Sequence, residues 1–179
     1  MRMPLWRPER LHAREARWCR AANRYGHRNG IGRVFPLVSR LGDGVFWYAL
    51  MAALVIVDGL PGALAALHMA ATGSVAVALY LPLKWWTRRP RPFVSDRRIR
   101  AWIAPLDEFS FPSGHTLHAM TFSIVAVAYY PWLAALLIPF SVGVAISRVV
   151  LGLHYPSDVL AATLIGTLLG ALSVQIWPL

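Results

Sequence analysis

Cysteine is nearly missing from this chain of 179 residues. Cys19 stands alone, which excludes an intrachain disulfide and any metal site built from cysteines. Acids are scarce too: eight stand against eighteen lysines and arginines, for a formal charge of +10. Charged residues of both signs make up only 15% of the chain, whereas 57% is hydrophobic. A single soluble domain of this length has too little interior to hide that much apolar surface, so much of it is expected to face lipid. No apolar core follows the opening Met-Arg-Met-Pro-Leu-Trp-Arg, so no cleaved signal peptide is expected and insertion falls to later segments. Internal repeats and low-complexity tracts are absent. The excess of arginine carries no nucleic-acid-binding motif with it, so a nucleic-acid partner is not expected. Because the bases flank apolar runs, anionic lipid headgroups are the expected partner.

What the chain does contain is a basic segment followed by a succession of apolar ones. Residues 1–43 hold ten arginines interleaved with Leu11, Trp18, Ala22, Tyr25, Val34, Phe35 and Leu37. Leu11, Trp18 and Ala22 share one helical face, so this segment reads as an amphipathic helix lying in the bilayer surface. It is expected to be distinct from a membrane-embedded domain over 44–179. Five apolar runs follow, from about Gly44 to Val57, Ala63 to Leu83, Ser113 to Tyr130, Trp132 to Ile146 and Asp158 to Trp177. Asp58-Gly-Leu-Pro-Gly is a turn signal between the first two, and Lys84-Trp85-Trp86 is an interfacial anchor after the second. Trp47, Trp85 and Trp86 are expected at one interface, Trp132 and Trp177 at the other. The expected fold is therefore all-α, an integral membrane bundle of about five transmembrane helices plus the N-terminal interfacial helix.

Three polar clusters interrupt this pattern at the ends of apolar runs: Lys84 with Arg91, Ser113-Gly114-His115, and Arg148 with His154 and Asp158. Two runs precede the first cluster, and the third and fourth carry the chain away and back, so all three clusters are expected on one membrane face. Together they supply three cations, two histidines and a carboxylate, an inventory suited to gripping a phosphate and breaking its ester. Arginine binds phosphate as a bidentate fork and lysine as a point charge. Ser113 reads as a helix N-cap, leaving the amides of Gly114 and His115 free to face an anion. Asp158, four residues after His154 with Pro156 favouring a helix start between them, is placed to turn back and fix the imidazole tautomer. Arg88, Arg89 and Arg97 read as ordinary interfacial bases. His68 is expected to make an interhelical hydrogen bond and His118 to line the pocket; His12 and His27 read as surface residues.

The spacing Lys84-x6-Arg91-Pro92, the tetrapeptide Pro112-Ser113-Gly114-His115 and the run Ser147-Arg148-x5-His154-x3-Asp158 resemble the three-part signature of the type 2 phosphatidic acid phosphatase family. That family shares its fold with vanadium haloperoxidases. The resemblance covers roughly residues 40 to 175. It implies a metal-independent, cofactor-free phosphatase acting on a lipid phosphate monoester or pyrophosphate: undecaprenyl pyrophosphate, phosphatidylglycerophosphate or phosphatidate. By the same resemblance His154 would be the nucleophile that forms a phosphohistidine, Asp158 its supporting acid and His115 the general acid. Lys84, Arg91, Ser113, Gly114 and Arg148 would hold the phosphate. Many bacterial members carry six spans, where five are counted here. A lipid phosphotransferase would differ only in its acceptor. A vanadate-dependent haloperoxidase fits the small membrane chain less well, and a non-enzymatic lipid binder would need no nucleophile. On the five-span count every base lies on one side, and the positive-inside rule then places the site at the cytoplasmic face of the plasma (inner) membrane. The family resemblance implies the opposite, since most studied bacterial relatives act at the outer face.

Overall fold

A computed structural model of the chain describes residues 9–28 and 33–177, with side chains from 13–26 and 33–177. Among the described residues the fold is helical throughout, with no strand. Helix α1 spans Glu9–Arg28 and α2 Val34–Arg40; a π-turn at Leu41–Val45 leads into α3, Phe46–Thr87. A short α4, Pro92–Ser95, lies in the polar loop, followed by α5 (Gly114–Tyr129), α6 (Ala134–Val150) and α7 (Pro156–Ile176). The expectations for Leu11, His12 and His27 fall on side chains outside the described set.

The 42 residues of α3 are not one rod. Gly59 breaks the helix at φ 59°, ψ −123°, in the region open to glycine. A Cβ on Gly62 would lie 1.9 Å from the carbonyl oxygen of Leu54. Eight residues of straight helix would separate them by about 12 Å, so the chain reverses here, as the Asp58-Gly-Leu-Pro-Gly signal predicts. The reversal divides α3 into two apolar arms and returns Lys84 to the level of Asp43. Tyr130 donates a hydrogen bond to Asp58 Oδ2 (2.6 Å), tying this turn to the one after α5.

Among the described residues, three helical stretches are long and apolar enough to cross a membrane: Val34–Ser95, which contains the reversal, Pro131–Val150 and Pro156–Ile176. The 16-residue α5 is the shorter, central helix and packs most heavily on α7. Small residues make that contact close. Ala162, Gly166 and Gly170 recur every fourth residue and are buried, and a Cβ on Gly166 would stand 2.6 Å from the Leu117 carbonyl oxygen. The opposite stripe of α7, Leu160, Leu164, Leu168 and Leu172, is exposed. A helix that buries glycine and presents leucine is built for a lipid solvent, and the chain is a membrane protein.

Two sequence expectations about aromatic and basic surfaces change. Trp85, Trp86 and Trp132 are exposed as a belt requires, but Trp47 is buried among Phe46, Phe122 and Phe140 as a core residue. In α1 the packed face is polar: Glu15, Cys19 and Asn23 are buried at four-residue spacing, while Trp18 points outward. Asn23 donates to the carbonyls of Arg100 and Val150, both at 2.9 Å, so α1 is bonded to the loops that hold the polar clusters. His68 makes the interhelical contact expected of it, Nδ1 to the Tyr129 hydroxyl at 3.2 Å, and stacks on Trp177.

Candidate active site

The polar loop after α3 folds back over the helix ends, and the three clusters meet beneath it. Lys84 and Arg91 do not share a helix. Arg88 ends α3 in a left-handed conformation, φ 46°, and Arg91 is the extended residue before α4. Both nonetheless reach Asp107 of the same loop, whose Oδ1 lies 2.9 Å from Lys84 Nζ and 2.8 Å from Arg91 Nη2. Burial pushes the Asp107 carboxyl up, but the Lys84 hydrogen bond and charge, with Arg91, outweigh it and hold it below the usual carboxylate range.

His154 sits in the turn between α6 and α7, its side chain almost fully buried. Arg91 Nη1 donates to the Leu153 carbonyl at 2.9 Å and lies 3.2 Å from His154 Nε2. On the far side of the ring, Nδ1 is 2.6 Å from the Ser110 carbonyl oxygen. A carbonyl only accepts, so Nδ1 carries the proton and Nε2 keeps its lone pair, facing the cations. This corrects one expectation. The Asp158 carboxylate is 3.7 Å from Nδ1, beyond hydrogen-bonding reach, and is occupied elsewhere. Its Oδ2 accepts from the Tyr155 amide (2.8 Å), capping α7, and its Oδ1 accepts from Arg89 Nη1 (2.6 Å). The tautomer is set by a backbone carbonyl, with Asp158 as a charge behind it.

Arg89 is the residue that sequence reasoning misplaced. It is buried, with Nη2 on Glu15 Oε2 (2.6 Å), Nη1 on Asp158 and on Ser157 Oγ (2.7 Å), and its guanidinium over the Tyr155 ring. Glu15 Oε1 also accepts from the Ser157 amide at 2.9 Å. A basic residue beyond a transmembrane run looks the same in sequence whether it snorkels or turns inward; only the carboxylate of Glu15, 74 residues away, decides it. Cys19 donates its thiol to the His154 carbonyl at 3.7 Å, and its pKa is pushed up to about 12 by burial and the charges of Asp158 and Glu15.

Arg148 lies within the last turn of α6, buried, and donates through Nη1 to Ser39 of α2. Its Nε is buried with no hydrogen-bond partner among the described residues. Ser113 is the N-cap residue of α5, yet its hydroxyl pairs with Thr116 Oγ1 (3.0 Å) instead of capping the first turn. As the first two residues of the helix, Gly114 and His115 have amides the helix itself cannot use. His115 approaches Asp43 of the π-turn, Nε2 to Oδ1 at 3.3 Å. His118, one turn on, bonds the Gly114 carbonyl through Nδ1 (2.9 Å).

Burial pushes the His154 imidazole well below its usual range, and the charges of Arg148, Arg91 and Lys84 push it further. A lowered pKa keeps the neutral ring at pH values where an ordinary histidine becomes cationic. In histidine-labelled protein the resonance that disappears in His154→Ala is therefore expected to remain that of a neutral Nδ1–H imidazole from pH 7 to about pH 5.5. Titration near the ordinary midpoint would contradict this geometry.

Several known proteins resemble this chain. The chain is 34% identical over 108 residues to the putative undecaprenyl-diphosphatase YbjG of Escherichia coli, covering 58% of this chain and 54% of that one. It is 39% identical over 71 residues to phosphatidylglycerophosphatase B of the same organism, covering 36% and 28%. The chain thus spans about half, or less, of the length of these curated relatives. The crystal structure of a transmembrane PAP2-type phosphatidylglycerolphosphate phosphatase from Bacillus subtilis superposes with a TM-score of 0.77 at 25% identity, covering 94% of this chain and 86% of that one. The family model of the PAP2 superfamily matches residues 62–179, which include all three polar clusters, and the chain belongs to that superfamily.

Proposed function

We propose that this chain is a lipid phosphatase that hydrolyses a phosphate monoester or pyrophosphate at the membrane surface through a phosphohistidine on His154. The observation that carries the reading is His154 Nε2, kept free of a proton by the Nδ1–H bond to Ser110 and facing Arg91 Nη1. Lys84, Arg91 and Arg148 would hold the phosphate oxygens, aided by Ser113 and the first amides of α5 at Gly114 and His115. The Nε2 lone pair attacks phosphorus and the bond to the leaving oxygen breaks, with His115 supplying the proton. His115 then takes a proton from water as the water attacks phosphorus, and inorganic phosphate leaves. Asp158 balances the positive charge that the imidazole acquires when it is phosphorylated. The buried Nε of Arg148 supports a further anion contact.

The names of the relatives favour a polyprenyl pyrophosphate or phosphatidylglycerophosphate as substrate, with phosphatidate a third lipid of the same chemistry. Phosphate release from these three purified lipids in detergent tests the assignment, and turnover of none of them would reject it. Three cations take the part of a charge-neutralising metal, so activity is expected to survive a strong chelator. Vanadate, which mimics five-coordinate phosphorus, is expected to inhibit. Chelator-sensitive activity restored by a divalent ion would remove the mechanism.

Charge supports a site at the cytoplasmic face of the inner membrane. Ten of the eighteen bases precede the first apolar run, seven lie from Lys84 to Arg100, and Arg148 ends α6, and a five-span count puts these three groups on one side of the membrane. The turns at 58–62 and 130–132 carry none. Arg97 is exposed in the polar loop, and its replacement leaves the Asp96 pairs with Arg20 and Arg98 intact. Arg97→Cys is expected to resist a membrane-impermeant thiol reagent in intact cells and to react after permeabilisation. Labelling in intact cells would move the site to the outer face. Cys19, buried with a raised thiol pKa, gives no competing signal.

A further inference from the structure

The turn between α2 and α3 lies outside the region matched by the family and outside every polar motif. Its backbone leaves the helical path at two residues, Asp43 (φ −82°, ψ 16°) and Gly44 (φ 121°, ψ −41°), the second in a conformation that favours glycine. The flank that precedes the break is anchored to α6. A Cβ on Gly42 would meet Val144 at 2.8 Å, and Ser39 accepts the hydrogen bond from Arg148. This break points one of only eight acids in the chain at His115, Oδ1 to Nε2 at 3.3 Å, with the His115 side chain about nine-tenths buried.

We infer that Asp43 is the positioning carboxylate of His115, holding the imidazole so that Nδ1 faces the leaving oxygen and stabilising it in the proton-donating form. The inference rests on the general-acid reading of His115 given above. With Nε2 turned to Asp43, Nδ1 is the nitrogen left for chemistry. The protonated ring gives its Nδ1 proton to the departing oxygen as the phosphorus–oxygen bond breaks, and keeps its Nε2 proton against Asp43. Nδ1 recovers a proton from the attacking water in the second step, so one cycle returns the pair to its starting state. Asp43 also lies in the field of Arg148, which suggests a rival role in holding that arginine against the phosphate. The two roles differ in what they affect: a donor's partner matters only when the leaving group needs a proton, whereas a phosphate holder matters for every substrate.

The test compares the full chain with its Asp43→Asn, Asp43→Glu and His115→Ala variants in detergent. The substrates are phosphatidate, with its poor alkoxide leaving group, and 2,4-dinitrophenyl phosphate, whose phenolate leaves unaided. Asp43→Asn is expected to lower kcat for phosphatidate by about 10- to 100-fold and for the aryl ester by less than about threefold, with KM and vanadate inhibition unchanged. Asp43→Glu should recover most of the loss, and His115→Ala should show the same selectivity, more strongly. Asp43→Ser serves as a second variant should the amide disturb the turn. Equal losses on both substrates, a raised KM, weaker vanadate inhibition or parental rates would each overturn the inference. If His115→Ala lacks leaving-group selectivity, the general-acid reading falls and takes the inference with it. If His115→Ala shows it and Asp43→Asn does not, only the inference fails.

Discussion

The His154→Ala protein is expected to bind lipid phosphate and hydrolyse none of it. Lys84, Arg91 and Arg148 keep their anchors on Asp107, the Leu153 carbonyl and Ser39 without the imidazole, so the anion site persists. What disappears is the nitrogen whose lone pair faces Arg91, and no leaving group, however good, replaces an absent nucleophile. Turnover should fall to the uncatalysed background with alkyl and aryl substrates alike, which separates this variant from His115→Ala. Labelled substrate quenched in alkali, where a phosphorus–nitrogen bond survives, should leave phosphate on the parent protein and none on the variant. Near-parental rates, or a phosphoenzyme that persists, would show that another residue attacks.

The second large effect concerns stability. Arg89→Ala removes the cationic partner that two carboxylates share, Glu15 and Asp158, whose side chains are 4% and 0% exposed. Breaking a buried ion pair from one side costs about 3–5 kcal/mol, because the charge left behind is neither solvated nor paired. The variant is expected to melt far below the parent in detergent, or to fail to accumulate. Arg89→Lys should recover only part of the loss, since one ammonium cannot reproduce the planar fork that reaches Glu15, Ser157 and Asp158 together. Adding Glu15→Gln to Arg89→Ala should restore part of the stability by removing one stranded charge, a non-additivity that contact in a shared network requires. An Arg89→Ala protein that melts within a degree or two of the parent would show that the triad does not form.

The residues proposed to handle phosphate were legible because their chemistry is local: a cation, a cap and a histidine at the ends of apolar runs, at spacings that carry meaning by themselves. The reversal at Asp58-Gly-Leu-Pro-Gly was legible for the same reason. The supporting layer was not. Glu15, Asp43, Ser110 and Arg89 take their roles from partners that lie 44 to 74 residues away in most cases, and nothing next to them in the chain marks an inward-facing charge. Trp47 misled because tryptophan near a helix end suits an interface, whereas here Phe46, Phe122 and Phe140 enclose it. In α1 an alternation of arginine and apolar residues obscured a buried polar stripe, Glu15–Cys19–Asn23, that reaches the turn bearing His154.

Under the proposed function, the single oxygen of Asp107 that bridges Lys84 and Arg91 changes what substrate capture means. The two cations at rest already carry an anion supplied by the chain, so an incoming phosphate does not fall into an empty well; it evicts a tenant. Binding is an exchange, and its free energy is the difference between two sets of charge-assisted contacts. A monoanion offers these cations no more charge than the carboxylate it would displace, and gains little. A phosphoryl group with two charges and three oxygens outbids it. The bridge thereby sorts anions by valence before shape is consulted, and it spares two buried cations from standing uncompensated between turnovers.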